Sequence, residues 1–167
     1  MKFKQLSLAG VYEITLERRG DERGFFARTF CETEFAQHGL HTKWAQMNLS
    51  FTATKGSLRG LHFQRPPHRE AKLIRAVRGR VFDVAVDLRT DSPTFGLFQS
   101  VLLNADDRNA LYIPEGCAHG FQTVTDNVEM HYYHSTPYAP DAEGGVNPMD
   151  PTLGIDWPLP VHTISPR

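Results

Sequence analysis

An all-β domain, a sandwich or barrel of many short strands, is the fold class the chain predicts, and three observations carry that reading. Short segments rich in β-branched and aromatic residues recur along the sequence. Turn-forming residues separate them at roughly 8–12-residue spacing, the rhythm of sandwiches and barrels. The strongest segment alternates with a period of two, which belongs to a strand and not to a helix.

Taken in chain order, the first element is the exception: a short helix near Glu32 to His38, with Gly39 as its C-terminal stop. Arg59-Gly60-Leu61-His62-Phe63-Gln64 is an apolar, strand-like run with an imidazole inside it, and Leu73 to Val77 follows closely. In Arg80 to Leu88, one parity gives Phe82, Val84, Val86 and Leu88, and the other gives Val81, Asp83, Ala85 and Asp87. That pattern predicts a strand with one strongly apolar face. Phe98 to Leu103, Ala110 to Ile113, Gly120 to Val124 and Val128 to Tyr133 complete the strands. The breaks are Arg78-Gly79, Asp91-Ser92-Pro93, Asn104-Ala105-Asp106-Asp107, Pro114-Glu115-Gly116 and Thr125-Asp126-Asn127. From Pro137 the tail is rich in Pro and Gly and reads as loops and short turns. Without an internal repeat or linker, residues 1–167 are expected to form one domain.

Composition narrows the function classes. The chain is 40% hydrophobic and 22% charged, with a net charge of −1, which argues against nucleic-acid binding through bulk charge. Cys31 and Cys117 form no CxxC pair and read as reduced thiols. No apolar run reaches membrane-spanning length, so a soluble, cytoplasmic protein is expected.

Eight histidines raise the question of a metal. Pro114-Glu115-Gly116-Cys117-Ala118-His119 matches one half of the ligand pattern of cupin barrels, but the H-x-H half is broken because Gln64 follows His62 by two residues. His62, Glu70 and His119 could still ligate an ion, yet spacing alone does not make a site, and no metal is expected. His62 otherwise reads either as a hydrogen-bonded barrel histidine or as a base. Arg59, Lys72 and Asp83 lie on or beside neighbouring strands, and Tyr132 and Tyr138 fall in the late segment His131-Tyr132-Tyr133-His134-Ser135-Thr136-Pro137-Tyr138. An imidazole suits proton abstraction at neutral pH, a cation suits a developing oxyanion, and a phenol can return a proton. Those groups fit proton abstraction α to a carbonyl. Strict alternation places Arg59 and His62 on opposite faces unless Gly60 marks a bulge or a twist.

Several long segments carry a resemblance. They are D-E-R-G-F-F at 21–26, Q-M-N-L-S at 46–50, R-G-L-H-F-Q at 59–64, and A-K-L-I-R-A-V-R-G-R-V-F-D-V-A-V-D-L-R at 71–89. S-P-T-F-G at 92–96, I-P-E-G-C-A-H-G-F at 113–121 and D-P-T-L-G-I-D-W-P at 150–158 extend it over nearly the whole chain. In these the sequence resembles the dTDP-4-dehydrorhamnose 3,5-epimerases, cofactor-free isomerases of deoxysugar biosynthesis. The resemblance implies a double-stranded β-helix, the jelly-roll barrel of the cupin type, with a few short helices. It also implies a homodimer with N-terminal strand exchange, no cofactor, and a nucleotide-diphosphate 4-keto-6-deoxysugar as substrate. By the same resemblance His62 is the base, Tyr132 the acid and Lys72 the enolate-binding cation, with Asp83 orienting the cationic groups. Arg59 grips the diphosphate with Gln46 and Asn48 nearby, and His119 lines the pocket. Arg23 and Phe26 hold the nucleotide, Tyr138 stacks on its base, and Glu143 and Arg167 contact substrate.

The chain departs from the family pattern in places. Arg28 stands where the family commonly has Glu, and Met47-Asn48-Leu49-Ser50 where it has D-N-H-S; both fall near the nucleotide pocket and bear on which base is preferred. Cys117 replaces a usual Phe and Phe63 a usual Tyr. The family's Asp that orients the catalytic His is expected just after Arg167, where the sequence stops, and truncation there is the expectation. The main expectation is epimerisation at C3 and C5 of dTDP-4-dehydro-6-deoxyglucose through an enolate. Its rivals are a 3- or 5-epimerase of another nucleotide sugar (CDP, for example), a non-catalytic sugar-nucleotide-binding cupin, and a metal-dependent oxygenase.

Overall fold

The computed structural model describes residues 1–164. In chain order the elements are β1 (Lys2–Gln5), β2 (Tyr12–Thr15), β3 (Arg19–Asp21), β4 (Gly24–Phe26), α1 (Glu32–Gln37), β5 (Gln46–Thr52), β6 (Ser57–Gln64), β7 (Lys72–Arg78) and β8 (Arg80–Asp87). Then come β9 (Phe98–Asn104), β10 (Ala110–Ile113), β11 (Cys117–Thr123), β12 (Val128–His134), a single 3-10 turn at Pro140–Ala142, β13 (Glu143–Gly145) and β14 (Thr163–Ile164). One sheet runs β1-β2-β10-β7-β12-β5 and the other β13-β6-β11-β8-β9, with β14 parallel to β6 at its edge. β3 and β4 form a separate hairpin. No helix among the described residues is long and apolar enough to cross a membrane.

Alternation sorts each strand's residues between the space enclosed by the sheets and the two outer layers. Ile74, Ala76, Leu111, Ile113, Val128 and Met130 of the first sheet meet Val81, Ala85, Leu103, Cys117 and Phe121 of the second in one buried cluster. α1 covers part of the first sheet's outer face, where Phe35 packs with Ile14, Leu73, Ala110 and Tyr112. Gly39 ends that helix at φ +68, donating its N–H to the Ala36 carbonyl. The helix stops short of β5, the edge strand of this sheet. There Met47, Leu49 and Phe51 are 66%, 60% and 51% exposed, and all lie on the outer side because their neighbours Asn48, Ser50 and Thr52 face inward.

The middle strands of the second sheet, β8 and β11, are buried on both faces. The expected apolar face of β8 exists, but it points outward. Val84, Val86, Phe82 and Leu88 join Leu61 and Ala118 beneath Val146, Leu153, Ile155 and Trp157 of the C-terminal segment. Trp157 stacks edge-on against Phe82 and donates Nε1–H to the Pro148 carbonyl, while the Gln122 amide donates to the Leu159 carbonyl. The other parity of β8, with Asp83 fully buried, faces into the barrel. A tail that reads as loops thus acts as a third layer, and it leaves the barrel interior free to hold polar groups at one end.

Candidate active site between the sheets

The polar end of the interior is a cavity of about 570 Å³. The second sheet contributes Arg59, His62 and Gln64 from β6 and His119 from β11; the first contributes Asn48 and Ser50 from β5, Lys72 from β7, and Tyr132 and His134 from β12. Tyr138 and Glu143 line its rim, and so do Thr163 and Ile164 of β14.

Arg59 and His62 reach the same cavity because β6 carries one extra residue. His62 pairs with His119 and Arg59 with Phe121, so three steps on β6 match two on β11. That is the bulge the glycine signals. Gly60 sits at φ +109, and a Cβ there would lie 2.5 Å from the Gly120 Cα and 2.6 Å from the His119 carbonyl oxygen. Only a glycine pair lets the two backbones come this close.

Asp83 and Glu70 carry the paired charge at the cavity. His119 Nε2 lies 3.0 Å from both oxygens of Asp83. Burial pushes the Asp83 carboxyl up, and the pull of His119 opposes that shift. Asp83 therefore holds His119 directly, and its influence on Lys72 is through space. Lys72, only 6% exposed, reaches across from the first sheet to within 3.4 Å of the His62 backbone carbonyl and lies 3.2 Å from a Glu70 oxygen. The other Glu70 oxygen accepts a 2.8 Å hydrogen bond from His134 Nδ1. Burial favours protonated Glu70, but the His134 bond and the Lys72 charge outweigh it and hold the carboxyl below its ordinary value.

On the wall opposite His62, Tyr132 shares a 2.9 Å hydrogen bond with Ser50. Burial pushes its phenol well above the ordinary value despite that bond, so it remains protonated through the neutral range. Its ring stacks near His134, with centroids 6.2 Å apart at 25°.

The structure brings His62, Lys72, Asp83, Tyr132, Asn48, Arg59, His119, Tyr138 and Glu143 to or directly behind this cavity. Arg59 also points its guanidinium at the Phe51 carbonyl, 3.5 Å away. Gln46 sits just outside, accepting the Tyr138 N–H at 2.7 Å, and the Tyr138 hydroxyl donates to Glu143 at 3.0 Å. Arg23, Phe26 and Arg28 do not reach the cavity of their own chain. Arg23 pairs with Asp21 at 2.6 Å, Phe26 is 74% exposed on β4, and Arg28 pairs with Glu34 at 2.9 Å. Arg167 lies outside the described residues.

Three residues at the cavity receive no catalytic or binding role from the sequence reading. Ser50 and His134 are signalled only by strand parity, His134 lying two residues after Tyr132 and hence on its side. Glu70 enters the sequence reading only as a metal ligand. Among the described residues no three His, Cys, Asp or Glu side chains are grouped for a metal ion. Gln64, which breaks the H-x-H pattern, clamps the rim instead: its amide donates to the His68 and Pro137 carbonyls and accepts the Ala139 N–H at 2.6 Å.

The chain is similar to known proteins over nearly its whole length. A family model described as dTDP-4-dehydrorhamnose 3,5-epimerase matches residues 5–167. The chain is 44% identical over 158 residues to the dTDP-4-dehydrorhamnose 3,5-epimerase of Methanothermobacter thermautotrophicus, covering 95% of this chain and 84% of that one. It is 43% identical over 168 residues to the dTDP-4-dehydrorhamnose 3-epimerase of Streptomyces niveus, covering 100% and 81%. The solved dTDP-6-deoxy-D-glucose-3,5-epimerase of Legionella pneumophila, in complex with dTDP-4-keto-L-rhamnose, superposes with a TM-score of 0.91 at 36% identity, over 99% of this chain and 88% of that one. The two-sheet barrel is the cupin-type jelly roll of these proteins.

Proposed function

The chain belongs to the dTDP-4-dehydrorhamnose 3,5-epimerase family, and we propose that the cavity between its sheets is where it inverts C3 and C5 of dTDP-4-dehydro-6-deoxyglucose, yielding dTDP-4-dehydrorhamnose. The C4 ketone acidifies the neighbouring C–H bonds. His62 takes the proton, Lys72 stabilises the enolate oxygen, and Tyr132 delivers a proton to the other face of the ring. The observation that carries this reading is the placement of base and acid on facing sheets, His62 on β6 and Tyr132 on β12, with Lys72 reaching from one to the other. Removal from one side and return from the other is inversion. The phenol's raised value keeps Tyr132 in its donating form, and Asp83 fixes the His119 ring beside it. In this reading Arg59, with Asn48 nearby, holds the diphosphate, Tyr138 stacks on the base and Glu143 contacts the substrate.

Incubating the 4-keto sugar with the protein in D2O is expected to place deuterium at both C3 and C5, read by NMR. Label at C3 alone would reduce the protein to a 3-epimerase, and no label at either carbon would remove the assignment.

The working unit in this reading is a homodimer. The apolar outer side of β5 is left uncovered, and the β3–β4 hairpin holds Arg23 and Phe26 away from their own cavity. Both are explained if a second copy covers β5 and receives the hairpin at its nucleotide pocket. Arg23→Ala and His62→Ala proteins, each impaired alone, are then expected to regain activity when refolded together, because a mixed dimer holds one complete cavity. No gain over the separate proteins would show that Arg23 does not serve the partner.

A further inference from the structure

Glu70 lies in the loop between β6 and β7, two residues before Lys72, and both of its oxygens are committed: one 3.2 Å from Lys72 Nζ, the other 2.8 Å from His134 Nδ1. All three side chains line the cavity and none is more than 16% exposed. A buried ammonium needs a nearby counter-charge to offset its lost hydration, and a four-carbon stem needs a tether to keep one direction. Asp83, the other carboxylate close to Lys72, has both oxygens on His119. Glu70 is thus the carboxylate in direct contact with the Lys72 ammonium, and His134 anchors it from the far side on β12.

We propose that Glu70 is a positioning residue for the epimerisation: it holds the Lys72 ammonium in place and aimed across the cavity, and so sets how well Lys72 binds the enolate oxygen. This role rests on Lys72 being the enolate-binding group. The enolate charge develops only as the C–H bond breaks, so the influence of Glu70 falls on turnover and not on substrate binding. Because Glu70 works through Lys72, its effect disappears once Lys72 is removed.

A double-mutant cycle tests this, using deuterium exchange into the 4-keto sugar for the unmodified protein, Glu70→Gln, Lys72→Ala and the double variant. Glutamine keeps the shape of the side chain and removes its charge. Glu70→Gln is expected to lower kcat about 10- to 100-fold with KM within about threefold, and the double variant to match Lys72→Ala within about twofold. A kcat near that of the unmodified protein, or losses that multiply in the double variant, would overturn the proposal. So would a Glu70→Gln protein without a cooperative unfolding transition, which would assign Glu70 to the fold. Failure of the unmodified protein to exchange would instead overturn the epimerase reading and this role together, so the two failures are distinguishable.

Discussion

His62→Ala is expected to suppress deuterium exchange at C3 and C5 by about 10³-fold while leaving the barrel folded, since a positioned acid–base group contributes about 10²–10⁴ to rate. The reason lies in the cavity's division of labour. His62 projects from β6 on the wall facing Tyr132, whereas His134 lies on β12, on the same wall as Tyr132. Tyr132 is kept protonated by burial and cannot serve as a base at neutral pH. Alanine keeps the backbone pairing of β6 with β11, in which position 62 lies opposite His119, so loss of chemistry without loss of fold is the expected signature. Exchange within about tenfold of the unmodified protein would move the role of base to another group.

Gly60→Ala is expected to be the most damaging single methyl in the site. The added carbon would meet two backbone atoms of β11 at 2.5 and 2.6 Å, in a left-handed conformation at φ +109. Neither atom is the end of a flexible side chain, so relief requires separating β6 from β11. A cost of about 3 kcal/mol or more follows from strain and lost pairing together. For a chain of this length that lowers the melting temperature by about 6–12 °C. Activity should fall further than stability, because the bulge is what turns Arg59 and His62 to the same side. A melting temperature within about 2 °C of the unmodified protein would show that the strands separate freely here.

Much of the barrel is legible in the sequence because local alternation and turn chemistry agree with the final sheets. Ala110 to Ile113 appears with the predicted bounds, and β7, β8, β9 and β12 fall within a residue of theirs. β11 begins at Cys117, earlier than expected, because the proline–glycine turn before it is tight. β3 and β4 carry no readable pattern, since every residue in them is exposed in a single chain. The sense of β8 is not legible either. Its more apolar face suggests the core, and only the distant segment from Val146 to Trp157 makes that face an outer one. The candidate site divides in the same way. His62, Lys72, Tyr132 and Asp83 stand out by type and position, whereas the Glu70 contacts depend on a loop closing over β7 and β12. The partner of Asp83 depends on the register of β8 with β11, in which Asp83 lies opposite Phe121, one inward position from His119.

The third layer over the second sheet bears on how such a protein can diversify. Strands β6, β8 and β11 take much of their apolar burial from Leu61, Val84, Val86 and Ala118 under the tail, and their chemistry from Arg59, His62, Asp83 and His119 on the opposite side. Substitutions on the inward side can retune substrate choice or stereochemical outcome while the outward side continues to hold the strands in place. New specificities are therefore reachable by drift within one scaffold, without first passing through an unstable ancestor.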